Sequence, residues 1–388
     1  MTDIAIASTS LQNAEGGDDL AQQLTRKIKG APDALIVFAS AANDYSALLR
    51  ALDRALHPKA MVGCSSAGEF TTDSNGTGRT SAIAISNSEM RFSVAAARNL
   101  TDDRKAAAQE LVNDFSGIES SEFRYRTALV FVDALAGHAE DLVDELTLAT
   151  AGMYQFVGGG AGDDGQFQKT HVFVGTEPLT NAAVALEILS NKPIGIGARH
   201  GWAPTGDTLR VTESAQSCVV SFNVSPALEA FDEHAESTNQ EFDHGNPLPF
   251  FLHNVVGVET ADGYKLRVPL GIADKGGIMT AAEVPTGSKA HIMSSQTASA
   301  VEAAAEATRS AVEQVESKGY KPKAALFFDC VATRLRLGQD FDQELDAVAK
   351  GLDDAPFAGF NSYGQIVRAE GQFSGFHNCT AVVCVFPD

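Results

Sequence analysis

Long apolar runs, basic clusters and cysteine frameworks are all missing from this sequence, and each absence narrows what the chain does. No apolar run approaches the ~18 residues that a membrane span needs. The first ten residues lack the basic start and long apolar core of a secretory leader. Lys and Arg number 29 against 50 Asp and Glu, a net charge of −21, and no Lys/Arg run occurs. That balance argues against nucleic acid as a partner, because binding it needs a basic patch, and it disfavours an anionic membrane surface. Its plainest meaning is solubility. The five cysteines are an odd number without framework spacing, which points to a reducing cytoplasm. The nine histidines are dispersed, with no H-E-x-x-H, C-x-x-C or Cys/His zinc spacing, so no metal site is assigned.

What the chain has instead is glycine in a recurring setting. Phe156-Val157-Gly158-Gly159-Gly160-Ala161-Gly162-Asp163-Asp164-Gly165 follows a short apolar run. It contains a G-x-G-x-x-G, but the dinucleotide fingerprint requires a helix after the glycines. Here His171-Val172-Phe173-Val174 reads as a strand, and Asp163 and Asp164 would repel phosphate. Met61-Val62-Gly63-Cys64-Ser65-Ser66-Ala67-Gly68-Glu69-Phe70 has the same plan. So has Phe357-Ala358-Gly359-Phe360-Asn361-Ser362-Tyr363-Gly364-Gln365-Ile366, with Gln in place of the acid. About 30 residues before each bend lies an apolar strand candidate (35–39, 128–132, 324–328), and a helix candidate lies between (45–56, 139–149, 342–352). Another apolar run follows each bend: 82–85, 171–174 and 381–386. Three such units argue for internal duplication.

These strands alternating with helices, plus short strands separated by glycine turns between 255 and 293, predict a mixed-sheet α/β architecture. A length of 388 residues suggests two domains, placed at 1–222 and 223–388. Ser299-Ala300-Val301-Glu302 reads as a capping box opening an alanine-rich helix. Thr101 reads as the cap of a helix over 102–115.

Several residues invite a chemical reading, each with a plainer one beside it. Cys64, at the end of a strand, is placed as a nucleophile would be, but a small buried thiol is the commoner fate. Asp163 and Asp164 read as ligand contacts or as carboxylates that bond backbone N–H groups of their own bend. Arg267 is a candidate anion binder or one half of a surface ion pair. His377 and Asn378 stand at the entry to the last strand, where they would reach a ligand. The glycines at 63 and at 158, 159 and 160 let backbone N–H groups approach a ligand. Ser65, Ser66, Glu69, Asn361 and Tyr363 would add polar contacts.

The ordered set of motifs resembles the FIST family, a prokaryotic sensory domain with N- and C-terminal halves. Val62 to Glu69 and Val157 to Asp164 look like its first two signatures. Gly201-Trp202-Ala203-Pro204 through Thr212 resembles the segment joining the halves. Pro247-Leu248, Arg267, Val284-Pro285-Thr286-Gly287, Phe328-Asp329-Cys330, Gly359 to Gly364 and His377-Asn378-Cys379-Thr380 follow in the expected order. The resemblance implies a bacterial small-ligand sensor in signal transduction rather than an enzyme, with amino acids among the ligands proposed for such proteins. It admits a haem-binding nitric oxide sensor that acts on a separate histidine kinase, although no axial histidine is assigned. No kinase, cyclase or methyl-accepting segment is present, so signalling would pass through a separate protein. A cysteine-dependent hydrolase is the remaining alternative.

Overall fold

Strands Ala34–Ser40, Ala60–Ser66, Phe357–Ser362 and Ala381–Pro387 are buried along their whole length, which is why they read as apolar runs without alternation. A computed structural model describes residues 2–372 and 374–388, so Met1, the outermost residue of the stretch searched for a leader, lies outside it. The architecture is mixed α/β, as the sequence predicts.

Three sheets are built on one path. In the first, Ala34–Ser40 and Ala60–Ser66 are parallel neighbours joined by helix Tyr45–Leu56, and Thr80–Asn87 returns antiparallel beside Ala34–Ser40. Thr2–Thr9 completes that side of the sheet. The second repeats the order with Tyr125–Val132, helix Ala139–Ala149, Gln155–Gly160, returning strand Ala182–Ser190 and edge strand Met90–Arg98. The third does so with Pro322–Cys330, helix Phe341–Gly351, Phe357–Ser362, returning strand Ala381–Pro387 and Gly195–Arg199. A second helix lies beside each linking helix: Asn13–Thr25, Arg104–Asn113 and Thr297–Glu316.

The inner faces share one core, and the outer faces pack beneath their own helices. Phe38, Phe131 and Phe328 hold matching positions in the three first strands, opposite Cys64, Gly159 and Phe360. Their rings meet edge to face at 5.5, 6.2 and 6.2 Å between centroids. Such contacts add about 0.5–1.5 kcal/mol each beyond the area they bury. The molecule therefore has an approximate three-fold axis running through this cluster.

The chain exchanges strands around that axis. After the first bend, Glu69–Thr71 leaves its own sheet and pairs with Phe357–Ser362 of the third. After the second, Val172–Val174 pairs with Ala60–Ser66 of the first. After the third, Gln365–Arg368 pairs with Gln155–Gly160 of the second. The strand that closes the second sheet is therefore Ala182–Ser190 and not the 171–174 run, which is too short to span a sheet and serves the neighbouring one.

The remaining strands, from Ala203–Ala215 to Lys289–Ser294, form an antiparallel sheet inserted into the third unit and packed against helix Ala227–Thr238. Within it Cys218–Phe222 pairs with Ile278–Thr280, so one sheet contains residues on both sides of position 222. Two caps differ from expectation. Asp103, not Thr101, caps helix Arg104–Asn113, accepting from the Ala106 N–H at 3.0 Å. Helix Thr297–Glu316 begins before the expected capping box, leaving Ser299 inside its first turn, where its carbonyl packs on Gly201.

Candidate functional site

The three bends meet at one end of the axis and bond to one another through their backbones. Gly162 N–H donates to Ser65 C=O at 2.9 Å, Tyr363 N–H to Gly160 C=O at 3.0 Å, and Ala67 N–H to Asn361 C=O at 2.9 Å. Much of the bend backbone is thus occupied by the other bends. Gly63 and Gly158 lie in strands where the neighbouring backbone fills the place of a side chain. Gly159 backs onto Ser362 and Gly364, and Gly160 onto Ala134 and Tyr363. Cys64 sits in the central core, its thiol pushed up by burial and then by Glu69. Ser65 Oγ accepts from the His171 N–H at 2.8 Å, and the Ser66 hydroxyl donates to Glu69.

The two aspartates point different ways. Asp163 accepts from the N–H groups of Phe167, Gln168 and Lys169 at 2.8, 2.7 and 2.8 Å, and from the Tyr363 hydroxyl. It organises a loop over residues 163–170 that the other two bends lack. Asp164 reaches the first unit, accepting from Ser40 Oγ at 2.7 Å and Ala41 N–H at 2.9 Å. Asn361 accepts from Arg334 at 3.1 Å. Arg267 is buried and donates to Glu140, Glu283 C=O, Leu266 C=O and Phe376 C=O at 3.3, 2.9, 3.0 and 3.0 Å. It is ion-paired, as the plainer reading has it, but buried rather than at the surface, because it crosses from the inserted sheet to the Ala139–Ala149 helix.

Of the residues singled out in the sequence, Tyr363 and Asn378 line an apolar pocket beside the bends. Phe167, at the tip of the loop that Asp163 organises, stacks on Tyr363 at 4.3 Å between centroids and 10° between planes. Cys330 and Val331 form another wall, and Val268, from the inserted sheet, faces them. The pocket has a volume of about 80 Å3. Three large apolar side chains around it are substantially exposed: Leu135 at 42%, Phe167 at 41% and Leu270 at 40%. Burial, and then the Asp163 carboxylate, hold the Tyr363 phenol protonated well beyond its ordinary range. His377 is buried one strand away. Glu69, Asp164 and Arg267 do not line the pocket. Larger clefts, such as one of about 410 Å3 near Asp163 and His171, are open and lined by Asn, Asp, Gln and Lys.

Glu69 gives the bends a pH dependence. Burial pushes its carboxyl up to about 8, against the opposing hydrogen bonds of Ser66 and the Arg79 N–H. The folded state therefore holds a proton that the unfolded chain has lost above the ordinary carboxylate range. That contribution is full below about pH 4.5 and disappears as pH rises through 8. Between pH 6 and pH 9 it falls by about 2–3 kcal/mol. Glu69→Gln is expected to remove this slope in urea unfolding, while Asp329 and Glu344, also raised by burial, remain in both proteins. Parallel profiles for the two proteins would refute the assignment.

The comparisons with known proteins come down on one side. The family model for the FIST N domain matches residues 33–225, and that for the FIST C domain matches residues 227–368. The chain belongs to the FIST family. FIST domains are associated with small-ligand sensing in signal transduction. No curated protein matches. Among solved structures, a cyanuric acid hydrolase from A. caulinodans is similar at 7% identity over 100% of this chain and 99% of that one, with a TM-score of 0.33. Phosphoribosylformylglycinamidine synthase II from Thermotoga maritima is similar at 10% identity over 100% of this chain and 72% of that one, with a TM-score of 0.21. Likenesses of that size carry no argument about this chain.

The pocket joins the two FIST halves: Ala134, Leu135 and Phe167 come from the first, and Val268, Leu270, Ala281 and the 330–332 segment from the second. The residues there do not fit haem. No histidine lines this pocket, and its volume is far below that of a macrocycle. His171 lines the cleft near Asp163, which is open and carries Asp44, Asp163 and Lys169 where a haem pocket would be apolar. Among the described residues, no group of three or more His, Cys, Asp or Glu is placed to hold a metal ion, and no helix is long and apolar enough to cross a membrane. Sequence reasoning missed Phe167, Leu135 and Cys330 as site residues. The signal for Phe167 was present: it is a lone aromatic in a polar segment directly after an Asp-Asp-Gly turn.

Proposed function

We propose that this FIST chain is a cytoplasmic sensory module that binds a small, largely apolar molecule in the pocket beside Tyr363. The observation that carries the reading is the apolar rim. Leu135, Phe167 and Leu270 stay exposed together around one pocket, where exposed large apolar groups mark a binding surface. The Tyr363 hydroxyl is already given to Asp163 and so positions the ring, leaving apolar contact with Phe167 and Tyr363 as the main attraction. Asn378 supplies the polar contact that would orient a ligand.

The module works without catalysis. Its walls come from both family halves, so a ligand that prefers one spacing of those walls shifts their equilibrium. The signal then passes to a separate protein, a histidine kinase being the partner class that the family resemblance suggests. The residues named above as ligand contacts divide accordingly. Tyr363 and Asn378 touch the ligand, Asp163 and Gly160 hold Tyr363 in place, and the first bend supports the others.

Small aliphatic amino acids and short-chain acids, whose apolar ends match a pocket of about 80 Å3, are the probes to use first, screened by thermal shift and then by the emission of Trp202, which packs in the cluster behind Cys330. A saturable shift is expected for one chemical class. Phe167→Ala should weaken that binding about tenfold, the value of one lost aromatic contact. Leu335→Ala, at an exposed apolar side chain that does not line the pocket, should leave it unchanged. Equal affinity in the Phe167 variant would move the site elsewhere.

A further inference from the structure

Two of the five cysteines are brought together at the back of this pocket. Cys330 ends strand Pro322–Cys330, Cys379 lies in the turn that enters strand Ala381–Pro387, and the Cys379 thiol and N–H both hydrogen-bond to the Cys330 sulfur. Both thiols belong to one apolar cluster with Trp202, Val268 and Met293. Only Cys330 lines the pocket, and Cys379 stands behind it. The other three are placed differently. Cys64 and Cys384 are fully buried in the central core, and Cys218 is half-buried in the inserted sheet. Cys330 is buried apart from the side that faces the pocket, and a pocket-facing thiol backed by a second, sheltered one is the arrangement that disulfide-forming centres use.

We propose that Cys330 and Cys379 form a redox-active dithiol, which a small hydroperoxide entering the pocket converts to a disulfide. The Cys330 thiolate attacks the outer oxygen of the hydroperoxide. The S–O bond forms, the O–O bond breaks, and the departing alkoxide or hydroxide takes up the proton that Cys330 gave away. Cys330 is now a sulfenic acid and the oxidant has become an alcohol or water. The Cys379 sulfur then attacks the Cys330 sulfur, and the S–S bond forms as the S–OH bond breaks. Hydroxide leaves with the Cys379 proton as water. Two thiols have lost two electrons, and one peroxide has accepted them.

The electrostatics agree with the geometry. The Cys379 thiol, first, and then the N–H groups of Cys379 and Ala332 and the Gln365 side chain hold Cys330 down at about 6 against the opposing effect of burial. The same contact pushes Cys379 well above the ordinary thiol range. The two directions favour the thiolate on Cys330 and the proton on Cys379, as an attacking and a resolving sulfur require. Cys379 also has a left-handed backbone, φ 49°, and its N–H bonds to Cys330.

The inference uses the pocket of the preceding reading but not its ligand, so the two can fail separately. The test is to expose the reduced, intact protein to a few equivalents of hydrogen peroxide at pH 7. The remaining thiols are then blocked with N-ethylmaleimide and peptides identified by mass spectrometry. A Cys330–Cys379 cross-linked peptide is expected, with Cys64, Cys218 and Cys384 still alkylated. Cys379→Ser should stop at a Cys330 sulfenic acid that dimedone traps. In the unoxidised wild type, iodoacetamide should label Cys330 at least about ten times faster than Cys64 or Cys384, with a half-maximal rate near the pH at which Cys330 ionises. Retention of all five thiols, oxidation of Cys218 ahead of Cys330, or a Cys330 sulfenic acid that never becomes the disulfide would each overturn the proposal. The wild-type experiment alone is decisive, so a variant that fails to fold does not block it. A disulfide without any ligand-induced thermal shift would leave the dithiol standing and remove only the sensory reading of the pocket.

Discussion

Gly63→Ala is expected to leave no soluble folded protein. A Cβ at that position would sit 1.9 Å from the Val37 carbonyl oxygen and 2.8 Å from its carbon. The obstacle is the backbone of the parallel neighbour, and both strands are buried throughout. No flexible side chain can yield, so the pair must separate and lose its ladder. Ordinary overpacking costs about 1–3 kcal/mol, and forcing a core strand off its partner exceeds that, at about 4 kcal/mol or more. Gly158 and Gly359 stand in the same relation to the Val130 and Phe327 carbonyls, at 2.0 and 1.9 Å, so the three positions should behave alike. Gly271, with nothing within 4 Å of its would-be Cβ, is the control that should accept Ala. Soluble yield and a thermal melt settle the matter: a folded Gly63→Ala protein melting close to wild type would show that the strands can part at little cost.

Arg267→Leu is expected to lose about 3–5 kcal/mol, the usual effect of removing one partner of a buried ion pair. Arg267 ties the inserted sheet to helix Ala139–Ala149 through Glu140, and to the Gly375–His377 strand through Phe376 C=O. Its loss strips Glu140 of one cation, although Lys265 still reaches the same carboxylate. Three backbone carbonyls, those of Glu283, Leu266 and Phe376, also lose a donor. Adding Glu140→Gln should return part of the loss, because it removes the stranded charge. The double-mutant cycle in urea should therefore give a coupling well above 1 kcal/mol. Additive losses would mean that the two side chains do not act as a pair. Val268 follows Arg267 directly and lines the pocket, so the single variant should also weaken ligand response in proportion to the sheet's displacement.

The three units were legible because close approach of backbones demands glycine at a fixed place after an apolar run. Gly63, Gly158 and Gly359 repeat that demand. The helices between paired strands were legible from their spacing. The exchange of strands was not. Glu69–Thr71 and Val172–Val174 are three residues long, too short to show a period, and nothing in their composition says which sheet they join. The local hydrogen bonding of Asp163 followed from ordinary turn chemistry, whereas the reach of Asp164 to Ser40 depends on packing between units. Within the candidate site, Tyr363 and Asn378 were found through their bend and motif. Cys330 was passed over because its partner lies 49 positions away, in the turn that enters the last strand, and meets it only in the folded chain.

The exchange of short strands has a consequence for how the chain comes off the ribosome. When the first two units have emerged, Val172–Val174 already has its place beside Ala60–Ser66. Glu69–Thr71 does not, because its partner is Phe357–Ser362, and the outer edge of Gln155–Gly160 waits for Gln365–Arg368. A half-made molecule thus carries one strand without a sheet, one sheet without its edge, and two of the three phenylalanines of the axis uncovered. Such edges and faces invite pairing with other chains. The last unit supplies all the missing partners together. The protein is closer to a clasp than to a string of beads: it closes once, late, and two of its three links do not make a smaller clasp.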